Sequence, residues 1–433
     1  MTPSVKRVSA ARVLLWGKEV GAVAWDAGRG LASFEYAPSF LREGFEISPL
    51  VLPRGPGIFS FPELNRKTFY GLPGLLADSI PDKFGNALID LWLTREGRSR
   101  EDFSPVERLC YIGSRGMGAL EFKPAIRPRE SQSVAIEIDK MVELAQFVVD
   151  NRAEILVNLK DDADALDTII RVGTSAGGAR AKALIAWNPG SNEVRSGQVP
   201  PPPGFEPWIM KFDGVEDRSV GPSKGYGRVE YAYHRMALSA GIGMSPCRLF
   251  EENGRAHFMT RRFDRGRNNE KLHMQSLCAM AHFDFNLAGA YSYEQNLSTI
   301  QQLNLGYNAL TEVYRRMVFN IIARNQDDHT KNVSFLMTDD GSWKLAPAFD
   351  VIWAYSSAGP WTNQHQMTVN GKRDDLTKDD LLAVARQYGI KSAAAILDQV
   401  CETVSRWPQV AGEAGVHGPT IKRIGSTHRL DIR

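Results

Sequence analysis

Cysteine is scarce: four occur in 433 residues (Cys110, Cys247, Cys278, Cys401), widely spaced and without a C-x-x-C pair. This argues against a disulfide scaffold and a cysteine-based zinc site, and reads as free core thiols of a reducing compartment. A surplus of one charge is also missing. Lys+Arg at 52 against Asp+Glu at 50 leaves +2, which excludes a global polycation with a strong nucleic-acid footprint. The cluster Arg261, Arg262, Arg265 and Arg267 is basic only locally, as a solvated face or a contact for a phosphorylated or nucleic-acid partner. The stretch MTPSVKRVSAARVLLWGKEV has a short apolar run broken by charge, so neither a signal peptide nor a membrane span is expected, and the cytoplasm is the default. There is no internal repeat, and low complexity is confined to Pro200–Pro203, a stiff surface turn.

What is present suits a globular protein: 43% hydrophobic and 24% charged residues, in a length that predicts two or three domains. Residues 11–70 alternate and turn often, at Gly17-Lys18 and through Ser48-Pro49-Leu50 to Pro53–Gly57, as a small β-rich unit. Helical spacing takes over from Leu72 to Leu93, with a short helix at Val106–Leu109 and one or two more across Ala135–Leu156. Strands are predicted at Ile169–Val172, Lys182–Trp187 and Trp208–Phe212, then a helix at 228–240. Cys247–Phe250 can pair with His257–Thr260, and helical periodicity dominates from about residue 272.

The stretch NIIARNQDDHTKNVSFLMTDDGSWKLAPAFDVIW, residues 320–353, carries the most chemistry. Val313, Met317, Val318, Ile321 and Ile322 recur at helical spacing, so Asp327 should sit on a loop leaving a helix C-terminus. Asn332 follows on the same loop. Val333–Met337, the turn Asp339-Asp340-Gly341 and Trp343–Leu345 read as a hairpin, which delivers Asp350 within Phe349-Asp350-Val351. This order suits phosphoryl transfer, which needs an oriented hydroxyl and hard oxygen ligands for Mg2+. Asp327 would accept the hydroxyl proton, and Asn332 and Asp350 would hold the metal. His329 and Lys331 can reach the transferred phosphate or brace the loop. A D-x4-N alone fits an ordinary acidic surface loop; the hairpin and second aspartate tip the balance.

Gly173–Ala179 is a glycine-rich loop between predicted strands, open to phosphates or simply a hairpin turn. It is neither a Walker A loop nor a G-x-G-x-x-G fingerprint. Lys211, between Met210 and Phe212 on a strand, and Glu230 on the next helix have the order of a phosphate-gripping pair; a snorkelling edge lysine is the plainer alternative. Phe263, after a strand, can pack on adenine, and Asp264 can pair with a neighbouring arginine.

Together these pieces resemble the HipA family, kinase-like toxins of bacterial type II toxin–antitoxin modules. The residues that carry the resemblance are Leu72-Pro73-Gly74-Leu75-Leu76-Ala77-Asp78-Ser79-Ile80-Pro81-Asp82, Gly116-Met117-Gly118-Ala119-Leu120 and Ser175–Lys182 (SAGGARAK). Arg262-Phe263-Asp264-Arg265, Asp327–Asn332 and Phe349-Asp350 complete the set in order. The resemblance implies an α+β, two-lobed protein-kinase-like fold: a β-rich N-terminal subdomain over 1–125, the rest of the N-lobe over 126–258, and a mostly helical C-lobe over 259–433. It implies ATP and Mg2+ as cofactors, held by Ser175, Gly177, Gly178, Ala179, Lys182, Lys211, Glu230, Arg261 and Phe263 with Asn332 and Asp350 on the metal. It also implies catalysis by Asp327 with His329 and Lys331, and autophosphorylation of Ser175. The implied partners are a helix-turn-helix antitoxin, DNA only through it, and a protein substrate such as an aminoacyl-tRNA synthetase. Departures are Arg261, where relatives can carry an acidic hinge residue, and Asp328, where glycine is expected. Asp328 adds negative charge that either raises the pKa of Asp327 or points to solvent. A small-molecule kinase and an inactive corepressor are the alternatives.

Overall fold

Alternating residues near the start of the chain form β1 (Ala10–Leu15), β2 (Lys18–Asp26) and β3 (Leu31–Tyr36) of an antiparallel sheet. This is a computed structural model, and it describes residues 7–81, 83–99, 101–126, 133–150, 180–216 and 225–432. The first hairpin turns at Trp16-Gly17, one residue before the expected site. Both residues have positive φ, 50° and 79°, as the twist of a two-residue hairpin demands. The indole N–H of Trp16 donates to the Lys271 carbonyl at 2.7 Å, which helps hold the strained position.

Helices α1 (Lys83–Arg95) and α2 (Pro105–Ile112) follow β4 (Ile58–Phe59); α2 starts in a capping box of Ser104 and Glu107. β5 (Leu120–Lys123) then returns to pair with β1, giving the order β4-β3-β2-β1-β5. The early β-rich stretch is thus completed by a strand that follows two helices, while Ser48-Pro49-Leu50 bends and turns without joining a sheet.

The second sheet comprises β6 (Lys182–Trp187), β7 (Val194–Ser196), β8 (Glu206–Lys211), β9 (Cys247–Glu252) and β10 (Arg255–Arg261), ordered β7-β6-β8-β10-β9. Asn253-Gly254, with φ of 45° and 75°, makes the β9–β10 turn and sets Cys247 opposite Thr260 and Phe250 opposite His257. Helix α3 (Ile138–Asp150) contributes Met141, Val142 and Val148 to a core shared with Ile185, Trp208 and Met210. Helix α4 (Tyr226–Ser239) crosses β10 so closely that a Cβ on Gly227 would run into the Ala256 carbonyl.

A third sheet, β11 (His273–Ser276), β12 (Ser334–Met337) and β13 (Trp343–Leu345), lies in the helical half. Its helices are α5 (Leu277–Ala281), α6 (Tyr293–Gln302), α7 (Gly306–Ile322), α8 (Lys378–Gln387), α9 (Ala393–Ser405), α10 (Trp407–Glu413) and α11 (Gly418–Gly425). Val229, Tyr233 and Met236 of α4 belong to the core of this half, so α4 is rooted there while its N-terminal turns reach the second sheet. All four thiols are free, two of them buried. Among the described residues no helix is long and apolar enough to cross a membrane.

Candidate active site

β8 is the central strand of its sheet, which removes the edge-lysine alternative for Lys211. As the last residue of β8, Lys211 lies opposite Lys182 of β6 and Phe258 of β10. Its ammonium donates to Glu230 Oε1 and to Asp350 Oδ1, each at 2.5 Å. Burial pushes the lysine pKa down, but the Asp350 and Glu230 carboxylates more than reverse this, so it stays firmly cationic. Burial also raises the pKa of Glu230, against the pull of Lys211. For Asp350 the penalty of burial is outweighed by Lys211 and Lys182, which hold its carboxyl well below the usual range.

The other half of the site leaves α7, where Val313, Met317, Val318, Ile321 and Ile322 are buried as their spacing predicts. The chain turns out through Arg324, whose φ of 56° is uncommon for a side-chain-bearing residue. Its guanidinium donates to the Thr427 carbonyl at 2.9 Å and lies over the Tyr355 ring. Gln326 N–H then donates to the Ala354 carbonyl at 3.0 Å, and Ala354 N–H to the Arg324 carbonyl at 3.0 Å. The loop carrying Asp327 therefore runs beside the segment that follows Asp350.

Asp327 is accessible, with its side chain 41% exposed, and Oδ1 accepts the Trp361 indole N–H at 2.6 Å. Asn332 donates its amide Nδ2 to the Asp327 carbonyl at 2.9 Å, an orientation that leaves Oδ1 for another partner. Asp328 neither points to solvent nor stands loose beside the base. It is fully enclosed, accepting from Tyr293 Oη at 2.8 Å, His365 Nδ1 at 2.8 Å and the Gln366 N–H at 2.8 Å. The charge that reads as a disturbance is an anchor for the loop.

Past the β12–β13 hairpin, Asp350 takes a left-handed conformation, φ 52°, the kind of strain that clusters at functional sites. Asp328, His329, Asn332, Phe349 and Asp350 line one cleft. His329 Nε2 is 3.9 Å from Asp327 Oδ1, an electrostatic neighbour beyond hydrogen-bond reach. Lys331 lies 5.3 Å from the centre of the Phe285 ring and faces the charge of Asp78.

The remaining predicted residues divide. Ser175, Gly177, Gly178 and Ala179, with the predicted strand before them, fall outside the described residues. Lys182 is buried beside Lys211. Arg261 is 40% exposed and 3.9 Å from Glu206, and Phe263 packs on Phe349 with ring centres 5.5 Å apart. Asp264 pairs with both Arg262 and Arg265, at 2.7 Å each. Trp361, His365, Gln366 and Tyr293 were not singled out from sequence. The segment PWTNQHQM has no period and no motif that would have found them.

Chemically, the arrangement offers an accessible carboxylate, a cation gripped by two carboxylates, and two hard oxygen donors in one cleft. Among the described residues no three His, Cys, Asp or Glu converge on a metal-sized point. A pair such as Asn332 and Asp350 suits Mg2+, which is commonly held by one or two protein oxygens together with substrate phosphates.

Two family models match in order: the HipA N-terminal domain over residues 11–123 and the HipA-like C-terminal domain over residues 174–407. Y4mE of Sinorhizobium fredii, which carries a kinase name, is 23% identical over 232 residues; the match spans 51% of this chain and 46% of that relative, less than half its length. The HipA chain in the Shewanella oneidensis complex of HipA, HipB and operator DNA superposes with a TM-score of 0.66 at 18% identity, covering 96% of this chain and 94% of that one. That likeness establishes the fold, α+β in two kinase-like lobes. With the C-terminal model alone spanning more than half of its residues, the chain belongs to the HipA family.

Proposed function

We propose that the chain is an ATP- and Mg2+-dependent serine/threonine protein kinase, acting as the toxin of a HipA/HipB-like module. The observation that carries this reading is the bridge of Lys211 to both Glu230 and Asp350 at 2.5 Å, a phosphate-gripping pair joined to a metal-type aspartate. Asp327 would accept the proton of an acceptor hydroxyl as its oxygen bonds to the γ-phosphorus. The bond from that phosphorus to the bridging oxygen breaks, and ADP leaves with the electron pair. Lys211 would bind the phosphates, oriented by Glu230. Asn332 Oδ1 and Asp350 would hold Mg2+, which when bound neutralises phosphate charge. His329, which lines the cleft, and Lys331 would meet the transferred group or brace the loop.

The fold match to HipA in a complex with HipB and operator DNA supports a helix-turn-helix antitoxin as partner, with DNA reached through it. The acceptor is proposed to be a protein of the translation machinery, such as an aminoacyl-tRNA synthetase, and Ser175 a site of autophosphorylation. Phosphate on Ser175 would add about −1.5 to −2 charge to a phosphate-binding loop and favour an inactive state. The test is incubation with γ-labelled ATP, Mg2+ and cell lysate. Label on a lysate protein, identified by mass, supports the reading; label confined to small molecules contradicts it.

A further inference from the structure

The segment 361–366 lies along the catalytic loop and grips three successive residues of it. Gln366 Nε2 donates to the Gln326 carbonyl at 3.1 Å. Trp361 Nε1 donates to Asp327 Oδ1 at 2.6 Å. His365 Nδ1 and the Gln366 N–H each hold an oxygen of Asp328 at 2.8 Å. Gln366 Nε2 also donates to the Trp361 carbonyl at 2.5 Å, closing the segment on itself. It is secured from behind: Arg373 Nε donates to the His365 carbonyl at 2.6 Å, and Gly289 N–H to the Gln366 carbonyl at 2.8 Å. The indole therefore acts from a fixed platform on a carboxylate that is otherwise accessible.

We propose that Trp361 is a positioning residue for phosphoryl transfer: its N–H pins Oδ1 of Asp327 and leaves Oδ2 to face the acceptor hydroxyl. The proposal rests on the reading of Asp327 as the base. Among the described residues Oδ2 has no hydrogen-bond partner, and Trp361 is the one donor within hydrogen-bond distance of Oδ1. A free carboxylate rotates about its side-chain torsions and exchanges its two oxygens. One short bond from a rigid ring stops that, and misplacement of a reacting group by about 1 Å can cost about 100-fold in rate. An indole N–H is a donor only, so it cannot compete with Asp327 for the hydroxyl proton.

The experiment uses the full chain with 15N-labelled tryptophan, in Trp361→Phe, Trp361→Ala and Asp327→Ala forms. The indole N–H signal lost in Trp361→Phe identifies Trp361, and the remaining indole signals report whether each variant is folded. That signal should move in Asp327→Ala; an unmoved signal overturns the contact. With γ-labelled ATP and total lysate protein as acceptor, Trp361→Phe, which keeps a ring and loses the N–H, should lower kcat by about 10- to 100-fold with the KM for ATP unchanged. Trp361→Ala should be at least as impaired. Transfer by Trp361→Phe at the wild-type rate overturns the positioning role while leaving the kinase reading intact. Absence of transfer by the wild type overturns the kinase reading, and this proposal with it.

Discussion

Two clusters of three charges lie in the interior, with opposite signs at their centres. Asp264 stands between Arg262 and Arg265, while Lys211 stands between Glu230 and Asp350. The Asp264 cluster is closed. Its carboxylate is 0% exposed and accepts from Arg262 Nε at 2.9 Å and from Arg262 Nη2, Arg265 Nη1 and the Gly118 N–H at 2.7 Å each. Both of its oxygens are bonded, and Gly118 ties it to the segment that leads into β5. The Lys211 cluster is open: the side chain of Asp350 is 28% exposed, lines the cleft, and sits on a left-handed backbone. Saturation marks the first as a joint of the fold. Incomplete enclosure beside a cleft leaves the second open to a further partner, as the proposed phosphate and metal site requires.

The contrast breaks most severely at Asp264. Asp264→Ala leaves two guanidiniums buried without their anion, and should cost about 3–5 kcal/mol, read as a fall in the denaturation midpoint. Lys211→Met should do the reverse. We expect transfer to fall by at least about 100-fold, with a smaller loss of stability than in Asp264→Ala because water can reach Asp350. If Lys211→Met unfolds the chain as readily as Asp264→Ala, the distinction between closed and open clusters fails.

A smaller effect comes from burial acting on neutral groups. Enclosure pushes His234, His273, His282 and His428 down to about 4. The unfolded chain binds these protons near the ordinary histidine value, and the folded chain only near 4. Stability should therefore be fully present above about pH 6.5 and decline as pH falls towards 4. His428, with Nε2 3.0 Å from Tyr233 Oη, is a suitable probe. Relative to neutral pH, its share of the loss at pH 5 should be on the order of 1–2 kcal/mol, and His428→Gln should flatten the pH profile of unfolding by that amount. Least of all should come from Arg261, whose 3.9 Å pair with Glu206 is surface-exposed. Arg261→Ala should change stability by less than about 0.5 kcal/mol.

Much of the site was legible because its signals are local. The helix before Asp327, the D-x4-N loop, the hairpin and Asp350 fall within one short stretch, and Lys211 and Glu230 sit on a strand and the helix after it. What escaped is non-local. Trp361 reaches Asp327 across 34 positions, and His365 reaches Asp328 across 37, from a segment without period or motif. The solvent-facing alternative for Asp328 fails for the same reason: an acidic loop residue looks solvated until the tertiary fold supplies Tyr293 and His365. β5 belongs with β1, but three strands and several helices separate them, so the alternation of the early strands gave no sign of it.

The central claim is tested most directly by comparing phosphoryl transfer from labelled ATP with Mg2+ in the wild type and Asp327→Asn. The account predicts label on protein with the wild type and a loss of about 100- to 10,000-fold in the variant, which should stay folded and bind ATP. Undiminished labelling by Asp327→Asn would contradict the assignment of the base and the reading of the site built around it.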